Sequence, residues 1–141
     1  MSKIPLILIP GLLCDDALWA PQTKWLSDIA DIAVGETQID DCFSAMAERI
    51  LETAPRHFAL AGLSMGGYVC MESMRQAPER IERLALFDTS GRADTADQTK
   101  RRKALIELAT IGKFKGVTPR LLPLLIHKDR QSDKELTNAV I

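Results

Sequence analysis

No stretch of this 141-residue sequence approaches the ~18 consecutive apolar residues of a membrane-spanning helix. The longest aliphatic runs are broken: Pro5 and Pro10 lie in or beside the run 4–9, and Pro123 interrupts the run 121–126. The first of these is too short for a signal-peptide core followed by a cleavage site, so export is not expected. Cysteine is sparse. Cys14, Cys42 and Cys70 are odd in number, widely spaced and form no C-x-x-C or Cys/His ligand pattern, which argues against zinc and for reduced thiols in a cytoplasmic protein. Net charge is also nearly absent. A formal −1 gives the whole chain no reason to bind nucleic acid or an anionic membrane. Repeats and low-complexity tracts are missing too.

What is there is an ordinary globular balance, 46% hydrophobic and 26% charged, in a length that fits one domain. Charge is distributed unevenly. Residues 1–74 carry 4 basic and 10 acidic side chains, and residues 75–141 carry 14 and 9. The halves are therefore −6 and +5, which suggests either complementary faces or a missing acidic partner surface.

The chemistry concentrates at Gly62-Leu63-Ser64-Met65-Gly66-Gly67. An apolar run, 57–63, leads in, and a helix-like segment, 65–76, leads out. This is G-x-S-x-G in the strand–turn–helix context that a nucleophile elbow requires. A serine at such an apex sits in a strained backbone with its hydroxyl exposed. Positions two before and two after it must be small, or their side chains collide with the neighbouring strand and helix; Gly62 and Gly66 satisfy that. The helix aims its first N–H groups and the positive end of its dipole at the reacting centre. The competing explanation is a glycine-rich turn whose serine is solvated or caps the helix.

The rest of the chain alternates. Residues 4–9 read as a buried strand, and Pro10-Gly11 ends it. Asp15 or Asp16 can cap a helix over 17–29, with Leu18, Trp19, Trp25, Leu26 and Ile29 apolar and Pro21 in its first turn. A second strand is expected over 31–37. Apolar residues at Phe43, Met46, Ala47, Ile50, Leu51 and Ala54 follow a helical period that Pro55 stops. A fourth strand is expected over 83–88. Such alternation predicts an α/β fold: a parallel sheet with helices on both faces. Right-handed crossovers restrict the strand order, and 2-1-3-4 sets the loop after strand 1 beside the elbow after strand 3. Beyond Gly91 a polar stretch leads to the basic run Lys100-Arg101-Arg102-Lys103, then a helix-like 104–110, a helical piece 120–128, and a last helix from Asp133. Four charges without interleaved aromatics read as a solvated helix face rather than a nucleic-acid patch.

Three sets of residues together resemble an α/β-hydrolase-fold enzyme: Pro10-Gly11-Leu12-Leu13 with Trp19, the elbow around Ser64, and Leu86-Phe87-Asp88-Thr89-Ser90. The resemblance covers the whole chain but only the amino-terminal part of the family fold. It implies a core over 1–91 and the start of a helical cap over 92–141. It implies Ser64 as nucleophile, the backbone N–H groups of Met65 and Leu12 as oxyanion hole, and Leu13 and Trp19 as pocket walls. The first loop has Pro-Gly-Leu where the family often has a His-Gly pair. No cofactor or metal is implied. The expected activity is cleavage of a small ester, lactone or activated carbon–carbon bond through an acyl-enzyme. The family's acid and histidine come from later strands. Within this chain Asp88 and His127 follow Ser64 in the right order, but Asp88 also reads as a strand-ending residue and His127 as a surface or cap histidine. His57 starts the strand at the end away from the serine. The alternative is a catalytically silent binding or structural module that needs a partner chain, and an open sheet edge would favour self-association.

Overall fold

The computed structural model describes residues 3–113 and 115–141. Within it the chain divides into two compact units, residues 1–92 and 93–141. The first is built on four strands, β1 (Ile4–Ile9), β2 (Ala30–Val34), β3 (Phe58–Leu63) and β4 (Ile81–Phe87). All neighbours are parallel and the order is β2-β1-β3-β4, as the alternation predicts. The two mostly apolar strands β1 and β3 occupy the centre, where both faces carry buried residues.

Each face has its own cluster. Ile7 and Ile9 of β1 and Phe58 and Leu60 of β3 point to one side. There they pack on Met46, Ala47, Ile50 and Leu51 of α2 (Phe43–Thr53) and on Val69 and Cys70 of α3 (Met65–Gln76). Leu8 and Ala61 point to the other side and pack on Trp19. That tryptophan ends a 3-10 turn, Asp16–Trp19, which Asp15 caps by accepting the Ala17 N–H, and α1 (Ala20–Leu26) follows.

Four expectations are corrected in detail. The first helix is split and shorter than 17–29, and its Trp25 and Ile29 are exposed rather than part of an apolar buried face. Pro21 lacks an N–H and has to sit in the first α turn, so the segment before it winds as 3-10. β2 stops at Val34 rather than Thr37: the Gly35 N–H still donates to the Leu8 carbonyl of β1 at 2.9 Å, and the missing side chain of Gly35 admits Ile9 and Ile50, but the pairing goes no further. β4 starts at Ile81, two residues early. Ile81 fills the α2/α3 core, and the register with β3 then jumps from Phe58↔Ile81 to Ala59↔Arg83. The bulge hides the strand's true start from a period-2 reading.

The second unit is helical: α4 (Ala96–Thr110), α5 (Leu122–Leu125), a 3-10 turn at Lys128–Arg130 and α6 (Lys134–Val140). α4 begins eight residues before the expected 104 and contains the whole basic run. Thr95 and Gln98 form a reciprocal capping box at its start, Gln98 N–H to Thr95 Oγ1 at 3.2 Å and Thr95 N–H to Gln98 Oε1 at 2.8 Å. Arg102 reaches back to Asp94 at 2.7 Å. Asp133 caps α6 through the Leu136 N–H. Among the described residues no helix is long and apolar enough to cross a membrane.

Candidate active site

β3 ends at Leu63 and α3 begins at Met65, leaving Ser64 alone at the apex. Its backbone has φ 52° and ψ −111°, a region that strains any residue with a Cβ. The surroundings hold it there. The Ser64 N–H donates to the Phe87 carbonyl at 2.9 Å, across to the end of β4. The Ser64 carbonyl accepts twice, from the Gly67 N–H at 3.0 Å and from the Thr89 hydroxyl at 2.8 Å. The Ser64 side chain is exposed and does not cap α3, which removes the capping explanation for this serine.

The two flanking glycines are explained by what surrounds them. A Cβ on Gly62 would strike the Gly66 carbonyl and lie 2.6 Å from the Cys70 sulfur. A Cβ on Gly66 would strike the Ile9 carbonyl and lie 2.7 Å from that of Pro10. So Gly62 clears the helix and Gly66 clears the neighbouring strand, the two collisions expected from the sequence. Gly67 is a third such position: its Cβ would fall 2.5 Å from Thr89 Oγ1 and 2.6 Å from Thr89 Cγ2. Sequence reasoning gave neither Gly67 nor Thr89 a role. The glycine that immediately follows G-x-S-x-G was the available signal.

The loop after β1 runs beside the elbow. A Cβ on Gly11 would lie 3.7 Å from Ser64 Cβ and 3.5 Å from the Leu63 carbonyl. The loop is a tight turn closed by the Cys14 N–H to the Gly11 carbonyl at 3.1 Å, with Leu13 at φ 61°. The Cys14 thiol donates to the Leu12 carbonyl at 3.6 Å, and burial raises its pKa. Leu12 and Leu13 are both exposed. Trp19 is buried in the cluster under the sheet, its ring 6.2 Å from that of Phe87, and its Nε1 has no partner among the described residues.

Asp88 directly follows β4, at φ 43°, with its neighbour Phe87 in register with Leu63. It therefore emerges at the same sheet end as Ser64. His57 lies before the first residue of β3, so a six-residue strand, about 20 Å long, separates it from Ser64. His127 belongs to the second unit. There it starts the 3-10 turn, its Nδ1 accepting the Asp129 N–H at 3.4 Å and lying 3.6 Å from the Asp129 carboxylate. The three cysteines are unpaired, and burial pushes the Cys70 thiol up to about 12. Among the described residues no His, Cys, Asp or Glu cluster is arranged to hold a metal ion.

A parallel sheet ordered β2-β1-β3-β4, with a strained serine between strand and helix and a second loop beside it, is an arrangement found in α/β-hydrolases. No protein-family description and no curated protein sequence matches this chain. Solved structures do. A thermophilic esterase from Thermogutta terrifontis matches 99% of the chain at 24% identity and TM-score 0.82, over 57% of its own length. The enol-lactonase from Burkholderia xenovorans matches 99% at 19% identity and TM-score 0.73, again over 57% of its length. An extracellular α/β-hydrolase from a Paenibacillus species matches 99% at 17% identity and TM-score 0.68, over 66% of its length. The chain thus has the α/β-hydrolase fold, and it spans little more than half the length of the first two proteins. Its structural neighbours are hydrolytic enzymes.

Proposed function

We propose that this chain carries the nucleophile and oxyanion-binding portion of a serine hydrolase acting on a small ester, lactone or activated carbon–carbon bond. The observation that supports it most is the Ser64 backbone, strained at φ 52° with its side chain exposed and unused by the helix it begins. Strain of this kind persists only where surrounding contacts over-determine it, and it clusters at reacting centres.

The proposed reaction runs through an acyl-enzyme. A base takes the Ser64 hydroxyl proton as Oγ attacks the substrate carbonyl carbon, and the carbonyl electron pair moves onto oxygen. The N–H groups of Met65, in the first turn of α3, and of Leu12, in the loop beside Gly11, receive that oxyanion. Both types of donor, a helix N-terminus and a fixed loop amide, favour developing negative charge without reorganising. The intermediate collapses, the bond to the leaving group breaks, and that group leaves with the proton. Water then repeats the sequence on the acyl-serine and restores the free hydroxyl. Leu12 and Leu13 would face the substrate's apolar part, with Trp19 supporting that wall from beneath. Residues 93–141 are proposed as the start of a cap. The three free thiols support a cytoplasmic setting.

The base and its acid partner are where a second reading enters. The sequence has two histidines, and His57 is removed from Ser64 by the length of β3. Asp88, at the right sheet end, and His127, in the cap portion, are the local candidates; otherwise both groups come from polypeptide outside this sequence. Without a base the chain would be a silent module that needs a partner. A fluorophosphonate probe separates the readings. Labelling of the folded protein that disappears in Ser64→Ala supports the hydrolase. Absence of labelling in protein shown to be folded by circular dichroism supports the module.

A further inference from the structure

We infer that Thr89 is a positioning residue for the oxyanion donor at Met65, an inference that rests on the serine-hydrolase reading above. The argument begins with the peptide between Ser64 and Met65. A trans peptide is planar, and its C=O and N–H point in opposite directions. Among the described residues no peptide is cis. Whatever fixes the direction of the Ser64 carbonyl therefore fixes the direction of the Met65 N–H. The Thr89 hydroxyl donates to that carbonyl at 2.8 Å. It also accepts the Gly67 N–H at 3.0 Å, a turn bond within the start of α3 itself. Thr89 thus supplies a restraint on this peptide that comes from outside the elbow and its helix, from the chain just past β4.

Two further observations support the assignment. Gly67 has no room for a side chain because Thr89 occupies the space: Oγ1, Cγ2 and Cβ would all lie 2.5–2.7 Å from an added Cβ. The threonine is therefore seated against the first turn of α3. The second observation is where Thr89 comes from. It follows β4 by two residues, and the Phe87 carbonyl two residues earlier takes the Ser64 N–H at 2.9 Å. The end of β4 thus holds both sides of Ser64, its N–H through Phe87 and its carbonyl through Thr89. Valine at 89 keeps the shape and seat of the side chain and removes the donor; serine keeps the donor.

The test compares wild type, T89V and T89S by fluorophosphonate labelling rate at Ser64 and by amide hydrogen exchange at Met65 and Gly67. Loss of one such hydrogen bond should slow labelling about tenfold and speed exchange at these two amides about tenfold, with the thermal midpoint little changed. T89S should restore both. Unchanged exchange in T89V would overturn the inference, and so would labelling as fast as wild type. If wild type itself is not labelled, the hydrolase reading fails, and the exchange measurement alone decides whether Thr89 orients the peptide.

Discussion

At Ser64, Leu13 and Asp88 the backbone is left-handed although each residue carries a Cβ, and all three cluster where β1, β3 and β4 end. Such conformations cost about 1–3 kcal/mol each, so neighbours must hold them. The glycines around Ser64 show how tight that hold is. In Gly66→Ala the added methyl meets the backbone carbonyls of Ile9 and Pro10, which cannot rotate away as a side chain would. This change should cost about 1–3 kcal/mol in urea unfolding and remove probe labelling at Ser64. Gly11→Ala is the control, because its methyl would sit at ordinary contact distances of 3.5–3.7 Å and leave stability within about 0.5 kcal/mol. These glycines were legible in the sequence because the motif fixes both their spacing and the collisions they avoid. Thr89 was not. Its hydrogen bond to the Ser64 carbonyl spans 25 residues, and no periodicity or local spacing connects two strand ends at that separation.

Among the elements, α3 does two jobs: its first turn serves the elbow and its last turn fastens the helix to α2. Glu72 accepts from Arg75 Nη2 at 2.7 Å and from Gln76 Nε2 at 3.0 Å, and Gln76 also donates to the Ser44 carbonyl at 3.0 Å. The Arg75 guanidinium first, and then Gln76, hold the Glu72 carboxyl down at about 2. An unfolded glutamate titrates near 4.3, so the folded pKa is the lower of the two, about 2 against about 4.3. The network's stabilisation is therefore present above about pH 4.3 and lost as pH falls toward about 2. Glu72→Gln should narrow the stability gap between variant and wild type over that window and leave it constant above it, as read from thermal midpoints at a series of pH values. Most of the elements themselves could be read from sequence: α2 has a helical period that Pro55 stops, β3 is an apolar run that ends at the elbow, and α3 is a helix-like segment that ends before Pro78. The failures have physical causes. A proline forced the 3-10 start of the first helix, and a bulge displaced the start of β4. The polar stretch before Lys100 gave no sign of the helix that starts at Ala96, because α4 buries no residue along its length, which leaves no apolar stripe to betray it.

For the molecule as a whole, the open side of β4 is the dominant feature. Among the described residues β4 pairs only with β3, and Leu84, Leu86 and Phe87 are 40%, 42% and 48% exposed. An unpaired parallel edge with apolar side chains on it is a template for further pairing or burial. Expressed as these 141 residues, the polypeptide should associate, with a mass by light scattering well above 15.6 kDa. A second driving force competes for the explanation, since residues 1–74 are −6 and residues 75–141 are +5 and two copies could pair opposite charges. Salt separates the two. At about 1 M ionic strength charges are screened beyond about 3 Å, whereas burial of apolar surface is not weakened. Association that survives this salt and falls in Leu86→Lys belongs to the β4 edge. Association that disappears in salt and ignores Leu86→Lys belongs to the charge asymmetry. A monodisperse monomer at low salt would sink both. The outcome also bears on the site, because the carbonyl of Phe87 and the hydroxyl of Thr89, at the end of that same strand, are what hold the Ser64 peptide. Whatever orders the free edge of β4 thereby steadies the Ser64 peptide, so probe labelling of Ser64 should rise with association in the wild-type chain and not in Leu86→Lys.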